Sequence, residues 1–323
     1  MTTFTLPRPE GFSLQALASF LAGFVPGSGM AHMAARDLTL AFRLDKTFEP
    51  VLVEVREEGY TLVARSTPAS DLELVRRQVQ RIAGLDQDAA AWAALGKRDA
   101  IVGALKAEFA GFFTAAKPSP YDAAAWGVLV PRMPMRAAAT LKRAIAEKHG
   151  DTLRLGSSVH PVFPGPAQLL ALESFPGLTG EKLSRLHAVA SAALEGRLGV
   201  DRLRAMGPDR ALDDLQRIRG VGPWTASHIY FRGAAPADAL PTLEPRVLHG
   251  LSHILGGEPV DEGAFSRYAE HWRPFRMWVC VLLARHLAAA GGWNRPGYAA
   301  ERAAASKRTR KAGRATAPPT ERA

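Results

Sequence analysis

The stretch Leu215-Gln-Arg-Ile-Arg-Gly-Val-Gly-Pro-Trp-Thr-Ala-Ser-His228 decides how the rest of the chain is interpreted. A short helix can end before Gly220, and both Gly220 and Gly222 permit backbone conformations that a β-carbon resists. Pro223 suits the first position of a second helix, because the N–H that proline lacks would have no partner within the helix there. The stretch therefore predicts two short helices joined by a tight Gly-Val-Gly hairpin.

A hairpin of this kind has a specific chemical use. The first N–H groups of its second helix have no partner within the helix, and together with the helix dipole they form an anion site suited to a DNA phosphate. Gly-x-Gly alone usually marks an ordinary turn between helices. Apolar residues on both sides and the following Pro-Trp-Thr-Ala make the pattern much more specific. The segment therefore indicates DNA binding.

A small α+β unit precedes the hairpin. Three runs have strand-like composition, namely Leu38–Leu44, Val51–Arg56 and Tyr60–Arg65, with Glu57-Glu58-Gly59 as the connection between the last two. An apolar-periodic stretch over residues 11–25 predicts a helix before them, and Asp71 begins an amphipathic helix that continues through Ile82. These elements predict an antiparallel sheet with flanking helices.

From about Asp86 onward the chain is predicted to be helical, with Pro or Gly at most breaks. The candidate helices cover residues 88–95, 98–112, 120–130, 134–149, 165–173, 179–195, 200–206, 211–218, 223–232, 244–255, 261–271 and 274–290. From Glu301 the sequence is mostly Ala, Arg, Lys, Thr and Pro, with almost nothing to bury, which predicts a disordered tail. That tail is either a spacer or a nonspecific phosphate-binding arm.

The formal net charge of +10 is unevenly distributed. Residues 1–113 carry 12 basic and 13 acidic side chains, residues 114–300 carry 22 and 16, and residues 301–323 carry 7 and 2. A neutral first third followed by basic segments suggests a polyanionic partner for the basic part.

The cysteine content and the apolar runs indicate the cellular compartment. The single cysteine, Cys280, excludes an intramolecular disulfide framework and a cysteine-ligated iron–sulfur cluster, and its apolar neighbours favour a small buried side chain. No charged region followed by an apolar stretch marks a signal peptide, and no uninterrupted apolar run reaches membrane-spanning length. We expect a soluble, cytoplasmic protein.

Taken in full, the segment resembles the helix-hairpin-helix of DNA glycosylases. Three further stretches resemble parts of that family: the loop after the second helix in Leu240-Pro-Thr-Leu-Glu244, the motif before the last core helix in Tyr268-Ala-Glu-His-Trp-Arg-Pro-Phe-Arg276, and the start of the helical domain in Ser119-Pro-Tyr-Asp-Ala-Ala-Ala-Trp126. With the α+β unit in front, the resemblance covers roughly residues 10–293, and this order of parts is characteristic of the alkyl-purine branch.

The resemblance implies a fold and a domain organisation. The fold class is α+β, with a small antiparallel α/β domain of the TBP-like kind over residues 1–113 and an all-α helix-hairpin-helix domain over residues 114–293. Residues 294–323 are expected to be a basic, disordered tail. The implied partner is double-stranded DNA that contains damaged bases, bound by a monomer that is nucleoid-associated and has no membrane contact.

The implied reaction is hydrolysis of an N-glycosidic bond, for which the family uses an Asp beside the sugar. An ungapped count from Asp238 places this position at Glu244. Glu is one methylene longer, which moves the carboxylate by about 1 Å and can lower the rate about a hundredfold, and Pro245 restricts the backbone. Two interpretations stay open: Glu244 replaces the Asp with compensating geometry, or the protein is a catalytically inactive paralogue that binds distorted duplex.

The loop that plugs the vacated base position also departs from the family. Val130-Pro131-Arg132 stands where the family usually has Gly-Gln-Gln or a similar run. Arg132 can still enter the lesion gap or contact phosphate, whereas the hydrogen-bond pattern of Gln is lost. In the hairpin itself, the resemblance assigns DNA-backbone contacts to Arg219, Gly220, Val221, Gly222 and Thr225.

Aromatic residues near the hairpin bear on substrate and reaction type. Members of the family that also cut the strand have a Lys two residues after the second hairpin Gly, and Trp224 stands there instead, so a monofunctional enzyme is implied. Trp224 and His228 occupy positions where the alkyl-purine branch has aromatic pocket residues, with Trp293 as a possible opposite wall. An electron-rich ring can stack on a cationic alkylated base. Core packing is the alternative role for Trp224.

We expect no metal or organic cofactor. His249, His253 and His271 lack the spacing with Cys or acidic residues that a zinc site needs. Hairpins of the family often hold a monovalent cation on backbone carbonyls, and the same is possible here. A third interpretation, a bifunctional glycosylase for oxidised bases, is disfavoured by Trp224 and by the absence of cluster cysteines.

Overall fold

A five-stranded antiparallel sheet forms the N-terminal region. The computed structural model describes residues 1–23, 31–34, 36–241 and 244–291, so Trp293 and the predicted tail lie outside the described residues. The strands are β1 (Thr2–Pro7), β2 (Ala31–Ala34), β3 (Asp37–Arg43), β4 (Pro50–Glu58) and β5 (Thr61–Ser66), in the order β1-β5-β4-β3-β2. In the register, Leu40 lies opposite Val53, and Val55 lies opposite Ala64. The three predicted strands are confirmed, and β1 and β2 add one strand at each edge.

Helices make up most of the remaining described chain. They are α1 (Leu14–Gly23), α2 (Leu72–Ala83), α3 (Ala89–Arg98), α4 (Ala100–Glu108), α5 (Pro120–Leu129), α6 (Met135–His149), α7 (Pro166–Leu170), α8 (Gly180–Leu194), α9 (Val200–Met206), α10 (Pro208–Gln216), α11 (Pro223–His228), α12 (Pro245–Ile254), α13 (Glu262–His271) and α14 (Arg276–Ala289). Asp71 caps α2, and its carboxylate accepts a hydrogen bond from the Leu74 N–H at 2.9 Å. The fold class predicted from the sequence is confirmed.

Two local features differ from the sequence-based expectation. A β-hairpin of β6 (Asp151–Leu155) and β7 (Ser158–Val162) lies within the region that was expected to be all helical. Each of its strands has only five residues, too few for a period of two to stand out. The predicted helix over 223–232 is divided, because α11 continues into a π-helical segment, Ile229–Ala234.

The chain divides into two compact units. The first contains residues 1–94 and 106–237, and the described part of the second contains residues 95–105 and 238–291. The first unit includes the sheet and the helices from α5 to the π-helical segment, and the second includes α12, α13 and α14. The domain boundaries after residues 113 and 293 remain predictions.

A buried ion cluster lies around α5 in the first unit. Every residue of α5 is buried except Asp122, which is partly buried. The Lys117 ammonium, 1% exposed, donates to one oxygen of Asp122 at 3.1 Å, and Lys142 donates to the other. Burial lowers the pKa of Lys117 to about 7 in spite of Asp122. Burial alone would raise the pKa of Asp122, but the two lysines outweigh it and hold that pKa well below its usual value.

The second unit is organised around α14. This helix is almost completely buried from Met277 to Leu283, and α12 packs against it. Cys280 is buried as predicted, and burial raises the pKa of its thiol. None of the helices in the described residues combines the length and the apolar character that a membrane span requires.

Candidate functional site

The Gly-Val-Gly hairpin has the predicted helix–turn–helix geometry. Gly220 has a φ of +85°, in the left-handed region, and the Val221 N–H donates to the Ile218 carbonyl at 2.9 Å. Gly222 caps α11, and its carbonyl accepts from the Ala226 N–H at 2.9 Å. Since Pro223 has no N–H, the first-turn donors without an intrahelical partner are those of Trp224 and Thr225.

Gly220 is also in close contact with α8. A β-carbon at Gly220 would lie 2.4–2.8 Å from the Cβ, Cγ and Cδ atoms of Arg185, so the side chain of this arginine passes directly over the hairpin. The Arg185 guanidinium pairs with Glu181, one turn earlier on α8. Sterics and backbone conformation therefore both require glycine at this position.

We expect Gly220→Ala to destabilise the hairpin and to weaken duplex binding about tenfold, because a non-glycine residue in the left-handed region costs about 1–2 kcal/mol before the clash with Arg185 is added. Fluorescence anisotropy with a labelled duplex and thermal unfolding measure the two effects. Gly222→Ala is the matched control for stability, since Gly222 has a φ of −90° and a β-carbon there meets no atom within 4 Å. Equal unfolding midpoints for the two variants would contradict the prediction.

The residues around the hairpin that were predicted to contact DNA differ in their exposure to solvent. Arg219 and the neighbouring Arg217 are exposed. Val221 is buried and its N–H already donates to the Ile218 carbonyl, so its predicted DNA contact is not supported by its side chain or its N–H. Thr225 is buried as well, and its hydroxyl lies 3.4 Å from the Gly127 carbonyl of α5. Its predicted DNA contact is therefore restricted to its N–H group.

Trp224 is exposed, unlike the tryptophans of the core. Its side chain is 44% exposed, whereas Trp126 and Trp272 are 1% and 0% exposed. The indole stacks on the His228 imidazole, with ring centroids 5.3 Å apart and planes inclined by 10°. His228 is partly buried, so the indole is the exposed ring of the pair, and its exposure favours base contact over core packing as the role of Trp224. Trp293, the predicted opposite wall, lies outside the described residues.

Arg132 has an unusual backbone conformation. It lies in the turn between α5 and α6, its side chain is exposed, and its φ is +59°. A left-handed conformation is unfavourable for arginine and would be relaxed for glycine. Because such conformations are concentrated at functional sites, the presence of arginine rather than glycine here favours a functional role for its side chain.

Glu244 is the N-cap of α12, in the second unit. Its side chain is about three-quarters buried and accepts a hydrogen bond from the Arg246 N–H at 3.3 Å. Both of its carboxylate oxygens also accept from the Arg246 guanidinium, one from Nε and the other from Nη2. The candidate catalytic carboxylate is thus paired within its own helix turn.

A second carboxylate in the same unit is part of a larger network that the sequence did not reveal. Asp238 accepts from Arg273 at 2.8 Å and from Arg276 at 2.6 Å. Both arginines also bind Glu270, which forms a closed set of two acidic and two basic groups. The one sequence feature that could have indicated this network is the pair of arginines, Arg273 and Arg276, three residues apart at the α14 N-terminus. This network ties the start of the second unit to α13 and α14.

The hairpin carbonyls are the groups that would bind the predicted monovalent cation. The carbonyls of Ile218 and Gly222 each accept one backbone hydrogen bond, which leaves one lone pair on each for a cation. The residues are therefore compatible with such an ion, and its presence remains a prediction.

Comparison with known proteins shows which proteins the chain is similar to. No protein-family model matches the chain. It is 26% identical over 171 residues to a DNA-3-methyladenine glycosylase from Bacillus subtilis, covering 52% of this chain and 56% of that protein. It is 28% identical over 159 residues to a probable bifunctional transcriptional activator/DNA repair enzyme AlkA from Mycobacterium tuberculosis, covering 47% of this chain and 30% of that protein. The chain thus matches about half or less of the length of these relatives.

Solved structures show the same fold. A 3-methyladenine DNA-glycosylase from Archaeoglobus fulgidus superimposes with a TM-score of 0.69 at 18% identity, covering 88% of this chain and 98% of that one. An 8-oxoguanine glycosylase/lyase from Clostridium acetobutylicum superimposes with a TM-score of 0.63 at 15% identity, covering 88% and 96%. By fold and by sequence similarity, the chain resembles the helix-hairpin-helix DNA glycosylases, and its sequence matches are on the alkyl-purine branch.

Proposed function

We propose that the protein is a monofunctional DNA glycosylase that hydrolyses the N-glycosidic bond of alkylated purines in base excision repair. The observation that carries this proposal is the exposed Trp224 indole, stacked on the partly buried His228 imidazole directly after the Gly-Val-Gly hairpin. A purine alkylated at a ring nitrogen is positively charged, and an electron-rich indole attracts such a ring. The sequence similarity to DNA-3-methyladenine glycosylases supports the same substrate class.

DNA binding is assigned to the hairpin and to Arg132. In this proposal, Arg219 and the N–H groups of Gly220, Gly222 and Thr225 hold backbone phosphate, whereas the Val221 N–H keeps its bond to the Ile218 carbonyl and shapes the hairpin. Arg132 enters the gap that the flipped nucleotide leaves in the stack. The protein acts as a monomer on double-stranded DNA, in the cytoplasm with the nucleoid.

The chemistry assigned to Glu244 is electrostatic. A water oxygen bonds to C1′ while the C1′–N bond breaks, the electron pair leaves with the base, and the water loses one proton to the solvent. Positive charge develops on the sugar during this step, and a carboxylate held beside C1′ stabilises it. An alkylated purine leaves as a neutral base, so no acid is needed to protonate it. Trp224 stands at the position of a lyase nucleophile and has no amine, so the reaction ends at an abasic site.

The test is release of free base from duplex DNA treated with a methylating agent. We expect methylated purines to be released, the strand to remain intact until alkali is added, and no adduct to be trapped by borohydride. A duplex with 8-oxoguanine serves as the comparison substrate and should yield no base. Strand cleavage with a trapped adduct would indicate a bifunctional enzyme. Salt-sensitive binding without any base release would indicate a DNA-binding protein that does not catalyse the reaction.

A further inference from the structure

Glu244 and Arg246 form an ion pair across an unusual spacing. Residues two apart in a regular helix point to different sides. Glu244, however, is the N-cap of α12 and has an extended backbone, with φ −112° and ψ 93°. Its carboxylate therefore turns back over the first helical turn, where both oxygens meet the Arg246 guanidinium.

This pair is in conflict with the chemistry proposed for Glu244. A carboxylate stabilises a positively charged sugar through its negative charge, and a guanidinium bound to both oxygens offsets that charge. The same two contacts also occupy lone pairs that would otherwise orient a water. An active Glu244 therefore requires Arg246 to move away.

A DNA phosphate has the properties needed to attract Arg246. The Glu244 and Arg246 side chains are 23% and 32% exposed, so neither is sealed inside the protein. Guanidinium groups bind phosphate oxygens in the same two-pronged geometry as carboxylates, so phosphate competes directly with Glu244. The N-terminus of α12, where Arg246 lies, also favours an approaching anion.

We propose that Arg246 is a positioning residue that pairs with Glu244 in the free protein and transfers to a DNA phosphate when duplex binds. The inference rests on the proposed function, since it assumes that Glu244 is the carboxylate used in the reaction. Without DNA, the pair keeps the carboxylate neutralised. With DNA, the same arginine adds a phosphate contact, and Glu244 recovers its charge beside the sugar. The Glu244–Arg246 pair lowers the affinity for DNA, because binding must break this pair before Arg246 can contact the phosphate.

The experiment is a double-mutant cycle on DNA binding. Fluorescence anisotropy would follow wild type, Glu244→Gln, Arg246→Met and the double variant on a duplex with a tetrahydrofuran abasic-site analogue, which cannot be hydrolysed. A solvent-accessible ion pair is worth about a factor of five, so Glu244→Gln should tighten binding by about that factor by removing the pairing that competes with phosphate for Arg246. Arg246→Met should weaken binding and reduce the slope of log Kd against log salt by about one.

The coupling between the two substitutions tests whether Arg246 transfers from Glu244 to DNA. We expect Glu244→Gln to have no effect on binding in the Arg246→Met background, because no arginine is left to be released. Equal tightening in both backgrounds would overturn the proposal, since the loss of a negative charge near DNA would then explain it. Glu258→Gln, which neutralises an exposed carboxylate in the same unit, is the control for that general effect.

Failure of this inference and failure of the proposed function give different results. Base release by the wild type together with an additive cycle would overturn the transfer of Arg246 and leave the glycosylase proposal intact. A coupled cycle without base release would support the transfer in a protein that binds DNA but does not cut the glycosidic bond.

Discussion

Replacing Glu244 with glutamine is expected to lower the single-turnover release of methylated purine by at least about a hundredfold, which is the usual effect of removing one preorganised charge or dipole from a transition state. Glutamine preserves the size of the side chain but carries no charge to stabilise the sugar. The N-cap hydrogen bond to the Arg246 N–H can still form, so α12 should remain folded. Chromatography of free base released at saturating protein measures the rate.

Two control variants show whether the loss of rate in Glu244→Gln comes from the charge at this position. Glu258→Gln removes an exposed carboxylate from the same unit and should leave the rate unchanged. Glu244→Asp keeps the charge and introduces the acidic residue that the resemblance to DNA glycosylases implies at this position, so it should retain activity well above that of Glu244→Gln. If Glu244→Gln released base as fast as the wild type, Glu244 would be no more than a helix cap. Asp238 would then be the next carboxylate to test, although its two arginines assign it to the structural network.

The parts of the fold that local sequence determines were predictable. Asp71 begins α2 through its own side chain, and the Gly-Val-Gly hairpin depends on residues adjacent in sequence. The strands β3 to β5 have a composition that indicates them directly. The β6–β7 hairpin was missed because each strand is very short, and the π-helical segment because nothing in its sequence marks a wider turn.

The residues proposed for the site from the sequence remain predictions, and the interactions that the structure gives them were not foreseen. The sequence identified Trp224, yet only the structure shows that its ring is exposed and stacked on His228. It also identified Glu244, but residues two apart are not expected to pair, and the extended N-cap backbone is what brings Arg246 to it. The Asp238 network joins groups 35 and 38 residues apart, a separation over which sequence patterns carry no information.

Replacing Asp122 with asparagine is expected to lower the free energy of unfolding at pH 7 by about 3–5 kcal/mol, the usual cost of removing one partner from a buried ion pair. Lys117 is 1% exposed and Lys142 is 15% exposed, so both ammonium groups would lose their carboxylate inside the protein. Urea denaturation followed by tryptophan fluorescence measures the loss. Asp37→Asn is the matched control, because Asp37 pairs with the exposed Arg56 and should contribute less than about 1 kcal/mol.

The pH dependence separates a charge effect of Asp122 from a packing effect. The lysines hold the pKa of Asp122 below its unfolded value of 3.8, so the folded state binds fewer protons than the unfolded state in acid. The stability contributed by Asp122 is therefore fully present above about pH 5 and decreases as the pH falls through 3.8 towards the folded value. Lys117 titrates in the same range, so the comparison is made in a Lys117→Met background, where replacing Asp122 with asparagine should cost about 1 kcal/mol less at pH 3 than at pH 7. A difference that did not change with pH would mean that asparagine disturbs the packing of α5, and the ion cluster would then contribute little to the stability of the first unit.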